Sequence, residues 1–546
     1  MPIRIDQDDN DNGPNFNPGN RPDFNTGGGG GGGGFGGLGI LLMFLPQLIR
    51  FLFRNPKIGI IVVIALVAFW FFGGRSCGGG LLNANNSSSY SKGCDMKREV
   101  YAQAEVYEPL ADNVKDPLPE RVSLLEFAPK RLNQGKQGSC VAWASAYAAR
   151  TILYSRATGQ DPNGTSFSPS FLYNQIALEN CQGSYLQRAM EAMQQRGSLP
   201  LSQYPYDENT CSREPDNSQL QAAQPYKIKG ASRLSKNDGS GGDDDYRVNM
   251  LAIKQNLAQG APVVIGMRVG GSFMRAMEGQ DVWIPTKSDY QAAFTNEFGG
   301  HAMCVIGYDD YMKGGAFQIM NSWGQEWGNK GVCWVRYQDF DYFVVEAYGL
   351  HPMGAVNKPA PSSLDCLFGL ENQSTKAAIP FTARGKSGNV GVYRTTSPVA
   401  KGQSADNKGT PFKIQFTNNA ECYTYLIGLE TNNTSYVLFP YTPKHSPYCG
   451  ITGKRLFPKD HTLYPDNIGT LDQMAVLVTN EPIDYKAINQ QISAAKGSTL
   501  ADKINTALGS KLTSATTFTG NSGNVQLSKP IGDAGWMAVV LEIEKR

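Results

Sequence analysis

The stretch that most constrains the fold is Asn133-Gln134-Gly135-Lys136-Gln137-Gly138-Ser139-Cys140-Val141-Ala142-Trp143-Ala144. A glycine-rich polar turn there delivers a cysteine to the start of an alanine-rich run, Val141 to Tyr154. That run combines strong helix formers with apolar residues at helical spacing, and Thr158-Gly159 ends it. The pattern predicts Cys140 at a helix N-terminus, where unpaired N–H groups and the macrodipole favour thiolate over thiol.

A thiolate nucleophile needs a cation to hold it ionised and a general acid for the leaving amine. The chain has four histidines. His301 is the suitable one, because Gly299-Gly300 opens an apolar run, His301 to Tyr308, that reads as a buried strand with the imidazole at its mouth. Phe317-Gln318-Ile319-Met320 reads as another strand, ending in Asn321-Ser322-Trp323-Gly324. The Asn321 amide oxygen can accept the imidazole N–H and fix its tautomer. Trp323 can shield that bond from water. Gln134 can donate to a developing oxyanion beside the Cys140 backbone N–H.

Taken in order, Gln134, Cys140, His301 and Asn321 resemble the oxyanion, nucleophile, imidazole and orienting residues of the papain family of cysteine proteases, the C1 clan type. Asn321-Ser322-Trp323-Gly324 and Trp327-Gly328-Asn329-Lys330-Gly331 look like two of its signatures, and Leu118-Pro119-Glu120-Arg121-Val122 is similar to the start of a mature domain. The likeness spans about residues 118–352. It implies an α+β, two-lobed domain, one lobe helical and one barrel-like, hydrolysing peptide bonds without a cofactor. Gly183, Gly300 and Trp323 would then line the substrate cleft. Cys181 and Cys211 match positions that bridge in the family, and a disulfide or two free thiols both remain open.

The sequence departs from the family at Gln137, where relatives carry a disulfide cysteine, at Val141, where Trp is usual, and at Gly300, often Asn or Asp. The His and Asn also lie beyond the ~130–150 residues of the papain pattern, which fits a surface insertion at 236–245 or 279–296. A long occluding helical propeptide is not recognisable, so autoinhibition of that kind is not expected. Residues 97–106 could still pack on the domain.

Lys+Arg is 50 and Asp+Glu 48, a net charge of +2, which gives no electrostatic case for nucleic-acid binding. Ten cysteines are too few for a disulfide scaffold. No Cys-x-x-Cys occurs, so no metal site is expected. Cys304 and Cys333 in apolar strands read as buried thiols, Cys422 and Cys449 could pair, and His351, His445 and His461 read as surface residues.

Residues 1–37, rich in Gly, Asn and Asp, read as a disordered tail. Residues 38–57 form an apolar interfacial segment. Residues 58–74 carry no charge and read as a transmembrane helix, at the short end of what a bilayer needs. Arg50, Arg54 and Lys57 precede it, so the N-terminus is expected in the cytoplasm and the catalytic domain exported to the periplasmic or extracellular side. A two-helix hairpin with its basic loop inside would also leave the remainder outside. Residues 75–117 read as a linker or short pro-like segment, 118–355 as the peptidase domain and 356–369 as a second linker. Residues 370–546 read as a separate β-rich domain, with strands over 412–416, 423–429, 435–439 and 536–543 and a helix over 490–512. This part loosely resembles a β-rich domain found beside bacterial peptidases and would bind a protein partner. The expected function is a membrane-anchored, exported thiol endopeptidase acting on a protein or peptide substrate; the alternative is a non-enzymatic papain-fold scaffold at the membrane surface.

Overall fold

The structure is a computed structural model and describes residues 3–7, 90–111, 118–239, 242–351, 361–397, 409–459, 461–466, 468–521 and 523–546. The expected interfacial segment 38–57 and the membrane helix 58–74 lie outside the described residues.

The alanine-rich run forms one helical rod from Cys140 to Thr158, and Gly159 stops it in the left-handed region at φ 71°. Its middle, Trp143–Arg150, widens to i→i+5 hydrogen bonding, a turn type often found at functional sites and not legible from helical spacing. Every side chain from Cys140 to Ala149 is buried. Helices Pro169–Ile176 and Leu186–Gln195 pack beside the rod. Ser168 caps the first, accepting from the Phe171 N–H at 3.0 Å with Pro169 in the first turn. This is the helical lobe. A disulfide joins Cys181 to Cys211, with Cα atoms 5.8 Å apart.

The other lobe is an eight-stranded, mainly antiparallel sheet. At its centre Gly299–Asp309 pairs with Val263–Val269 on one side and Ala316–Met320 on the other. Val344–His351 lies beyond Val263–Val269, and Arg121–Ser123 pairs with the far end of Gly299–Asp309. His301 stands opposite Met267 at the mouth of the central strand, and Asn321 follows the last residue of its neighbour.

The C-terminal region is a sandwich of two sheets. The expected strands appear as Phe412–Asn418, Cys422–Leu429, Ser435–Phe439 and Met537–Lys545. The helix expected over 490–512 is instead two, Tyr485–Ala494 and Leu500–Leu508. Gly497 interrupts them, and Thr499 caps the second by accepting from the Asp502 N–H.

Three expectations are corrected here. Ile3–Gln7, placed within a disordered tail, forms a strand antiparallel to His461–Pro465, because that edge of the sandwich offers unpaired backbone groups. Residues 90–111, read as part of a linker or short pro-like segment of which 97–106 could pack on the domain, are ordered well beyond that stretch and against both folded regions. The Tyr107 N–H donates to Arg233 O (3.0 Å) and the Ser446 N–H to Val106 O (2.8 Å). His351 and His445 are buried rather than on the surface. His351 stacks on Tyr448 at 3.6 Å between ring centroids. His445 Nδ1 lies 2.8 Å from Glu108 and its Nε2 3.6 Å from Asp238. The four thiols of Cys304, Cys333, Cys422 and Cys449 are free and buried; Cys422 and Cys449 stand directly opposite each other in adjacent strands.

Candidate active site

The four residues singled out above meet where the helical rod faces the mouth of the sheet. His301 Nε2–H donates to Asn321 Oδ1 at 2.7 Å, and the Ser322 N–H donates to the same oxygen at 2.7 Å. That fixes the neutral tautomer with its hydrogen on Nε2 and leaves Nδ1 as the acceptor. Nδ1 has no hydrogen-bond partner among the described residues. Trp323 stacks on the imidazole, centroids 4.3 Å apart and planes 25° from parallel, so it shields the ring as expected.

Cys140 Sγ accepts from the Ala302 N–H at 3.4 Å, and the N–H groups of Val141, Gly93 and Cys140 itself also face it. Gln134 is wholly buried. Its Oε1 accepts from Ser322 Oγ at 2.6 Å and its Nε2 donates to Gln137 O at 2.9 Å. One amide hydrogen is thereby spent, and the second is the one left for an oxyanion.

A strap, Tyr90–Met96, lies across these residues. The Cys94 N–H donates to Gly300 O at 3.1 Å and the Asp95 N–H to Ser184 O at 2.9 Å, while the Ser184 N–H donates to Gly93 O at 2.9 Å. Trp323 Nε1 donates to Ser91 O at 2.9 Å, and Tyr90 stacks on the same indole with centroids 4.7 Å apart. Backbone approaches this close need glycine. A Cβ on Gly300 would sit 1.9 Å from Cys94 O, and one on Gly183 2.5 Å from Gly93 O. The strap therefore touches all three residues expected to line the cleft: Gly183, Gly300 and Trp323. It also adds the Ser184 backbone, which no side-chain motif could signal.

The strap corrects two expectations. The cleft is covered, although no long propeptide is recognisable. The expected thiolate–imidazolium pair is also not formed. Burial pushes the Cys140 thiol up to about 12, with the surrounding N–H groups only partly offsetting it. Burial likewise lowers His301 to about 4; the Asn321 hydrogen bond opposes this and nearby Lys92 adds to it. Both groups are neutral at pH 7, because a covered site cannot solvate charge.

Residues 126–348 match the family model for papain family cysteine proteases. A peptidase C1-like protein of Acanthamoeba polyphaga mimivirus is 29% identical over 225 residues, 40% of this chain and 68% of that protein. Cysteine proteinase 3 of Entamoeba histolytica is 24% identical, covering 46% of this chain and 76% of its own. Cathepsin K of Gallus gallus is 27% identical; the aligned part spans 36% of this chain and about half, 52%, of cathepsin K. Among solved structures, the cysteine protease xylellain of Xylella fastidiosa aligns over 51% of this chain and 100% of its own, at 24% identity and a TM-score of 0.39. The family match falls on the same residues that build the covered cleft, and the chain is a papain-like cysteine peptidase carrying a papain-family protease domain over residues 126–348.

Proposed function

We propose that the chain is a thiol endopeptidase that hydrolyses peptide bonds through Cys140, His301 and Asn321. The observation that carries this reading is the His301–Asn321 hydrogen bond of 2.7 Å beside a cysteine at the start of a buried helical rod. His301 Nδ1 takes the thiol proton, and the sulfur attacks the scissile carbonyl. The oxyanion forms near the Gln134 amide and the Cys140 N–H. The imidazolium returns its proton to the leaving amine, and water hydrolyses the thioester. In the covered form neither charge is stable, so the strap holds the enzyme latent. Gly183, Gly300 and Trp323, now against the strap, would hold substrate once it lifts.

The same reading places the enzyme at a bilayer, exported and anchored through residues 58–74, with the C-terminal sandwich free for a protein partner. The pairing of Ile3–Gln7 with His461–Pro465 is at odds with a single crossing, which would part the two strands. Two crossings, with the Arg50-Arg54-Lys57 loop inside, keep them on one side and still export the peptidase. The test of activity is labelling of the full chain by a thiol-directed, papain-type epoxide, with peptide hydrolysis followed in parallel. Label on Cys140 that blocks hydrolysis supports the reading; label absent from an uncovered site rejects it in favour of a scaffold.

A further inference from the structure

Three thiols that the reaction above does not use meet inside the C-terminal sandwich. Cys422 begins the strand Cys422–Leu429, Cys449 ends the short strand Tyr448–Cys449, and Cys366 lies in Ser363–Asn372 of the facing sheet. All three are free and at most 1% exposed. The Cys422 thiol is within hydrogen-bonding reach of both others. Cys449 Sγ has two further weak contacts, to Thr424 Oγ1 and Pro447 O, each at 3.8 Å.

A buried cation stands beside the cluster. The Arg455 guanidinium is wholly buried, yet it donates only to neutral oxygens: Asn418 Oδ1 at 2.7 Å, Ile451 O at 2.6 Å and Tyr107 Oη at 3.0 Å. Its Nε has no partner, and no carboxylate pairs with it, among the described residues. Burial raises the thiols of Cys422 and Cys449, and the Arg455 charge opposes that rise at both. A cation beside a thiol favours the thiolate, the form that attacks a disulfide.

Strand register selects the pair. Cys422 and Cys449 are directly opposite in antiparallel strands. Residues so placed have Cα atoms ~4.5–5.5 Å apart, inside the ~4.4–6.8 Å that a disulfide spans. A bond to Cys366 would have to draw the two sheets together, since packed sheets stand ~10 Å apart. The segment that ends at Cys449 also holds the chain just after the strap. The Val106 N–H donates to Lys444 O, the Ser446 N–H donates to Val106 O at 2.8 Å, and His445 Nδ1 lies 2.8 Å from Glu108. Tyr448, beside Cys449, stacks on His351 of the peptidase domain.

We infer that Cys422 and Cys449 are an oxidation site, and that the disulfide they form fastens residues 444–449, and with them the tether of the strap, to the sandwich. Cys449, as thiolate beside Arg455, attacks a small-molecule disulfide such as glutathione disulfide. That S–S bond breaks, a mixed disulfide forms, and one glutathione thiolate leaves. Cys422 gives up its proton and attacks the Cys449 sulfur, which releases the second glutathione and forms the Cys422–Cys449 bond. The two protein thiols lose two electrons and two protons, and the oxidant is reduced to two thiols. Both sulfurs are covered in the closed sandwich, so the exchange runs while Tyr448–Cys449 is open, during folding or local opening.

The test holds the full chain, in detergent, in sub-denaturing urea with glutathione disulfide and glutathione. One portion is then unfolded in iodoacetamide and its unreduced digest read by mass spectrometry. The Cys181–Cys211 bond, already present at the start, reports that the conditions stay oxidising. A Cys422–Cys449 peptide should appear in the wild type and equally in Cys366→Ala. With urea removed from a second portion, exchange of the Val106 and Ser446 amide hydrogens should be about 10-fold slower than in the untreated chain. Cys449→Ser should show no such slowing. A Cys366–Cys422 peptide, or alkyl label on all three sulfurs beside an intact Cys181–Cys211 bond, overturns the site. A Cys422–Cys449 bond that leaves both amides unchanged overturns its hold on the tether.

Discussion

Two neutral groups, Cys140 and His301, set the chemistry at the scale of single residues. With the thiol pushed up to about 12 and the imidazole down to about 4, the thiolate fraction is small throughout the neutral range and grows only as pH climbs toward 12. An ordinary cysteine ionises near ~8.5. Alkylation of Cys140 by iodoacetamide, followed by mass spectrometry, should therefore be slow at pH 8 and still rising at pH 10 in the wild-type chain. Uncovering the site readmits water and lets each charge stabilise the other, so the alkylation profile should move well below 8.5 and lose that shift in His301→Ala. An unshifted profile in both uncovered proteins would remove the ion pair from the mechanism. Gln134→Ala tests a different step. Losing an oxyanion donor should lower turnover on the order of 10²–10³-fold without moving the alkylation profile. Because Gln134 also ties Ser322 to Gln137, the same substitution should lower Tm, and only the unmoved profile separates catalysis from damage.

Among the elements, the strap decides whether these residues see substrate. Its hold is mostly backbone: four amide–carbonyl bonds to Gly300 and Ser184, with Gly93 fitted against Gly138. Relieving an overpacked side chain costs about 1–3 kcal/mol, so Gly93→Leu should open the cleft and raise epoxide labelling of Cys140 roughly 10–100-fold. A labelling rate equal to wild type would mean that the strap does not guard the site. The loop that bonds the strap through Ser184 is itself pinned by Cys181–Cys211, which closes a separation of 30 residues. Cys211→Ala should lower stability by about 2–4 kcal/mol, read as a fall in the urea midpoint. The contrast in legibility follows from where each feature keeps its information. Cys140, His301 and Asn321 each sit in a short motif whose local geometry aims the side chain, so spacing and glycines sufficed to find them. The strap binds through main-chain atoms to partners distant in sequence, and nothing in its composition distinguishes it from a spacer. The break at Gly497 shows the same limit, since helical periodicity runs through it and the Thr499 cap, a local hydrogen bond, decides where the second helix starts.

For the whole molecule, the peptidase and the sandwich share one continuous core, with Tyr348 and Leu350 on one side and Tyr448 and Ile451 on the other. The segment after the strap runs between them. The Val106 N–H donates to Lys444 O, Arg455 Nη2 donates to Tyr107 Oη at 3.0 Å, and the Ala111 N–H donates to Lys454 O at 2.9 Å. A strap that lifts is therefore still tethered at its C-terminal side to both folded regions, which suits reversible covering better than release. Its other end leads back to the segment where the sequence places the membrane anchor, and beyond that to Ile3–Gln7, which returns to the sandwich edge at His461–Pro465. A strand cannot pair through a bilayer, where unsatisfied backbone groups cost several kcal/mol each. Whichever side holds the peptidase must then also hold the first residues. An epitope fused ahead of Met1 and a second one after Arg546 should become protease-sensitive together in intact cells or spheroplasts, before the inner membrane is lysed. Sensitivity of the C-terminal epitope alone would mean one crossing, and that the strand pairing at the sandwich edge is absent from the membrane-bound protein. Protection of both until lysis would place the enzyme inside and overturn its export, while leaving the strand pairing intact.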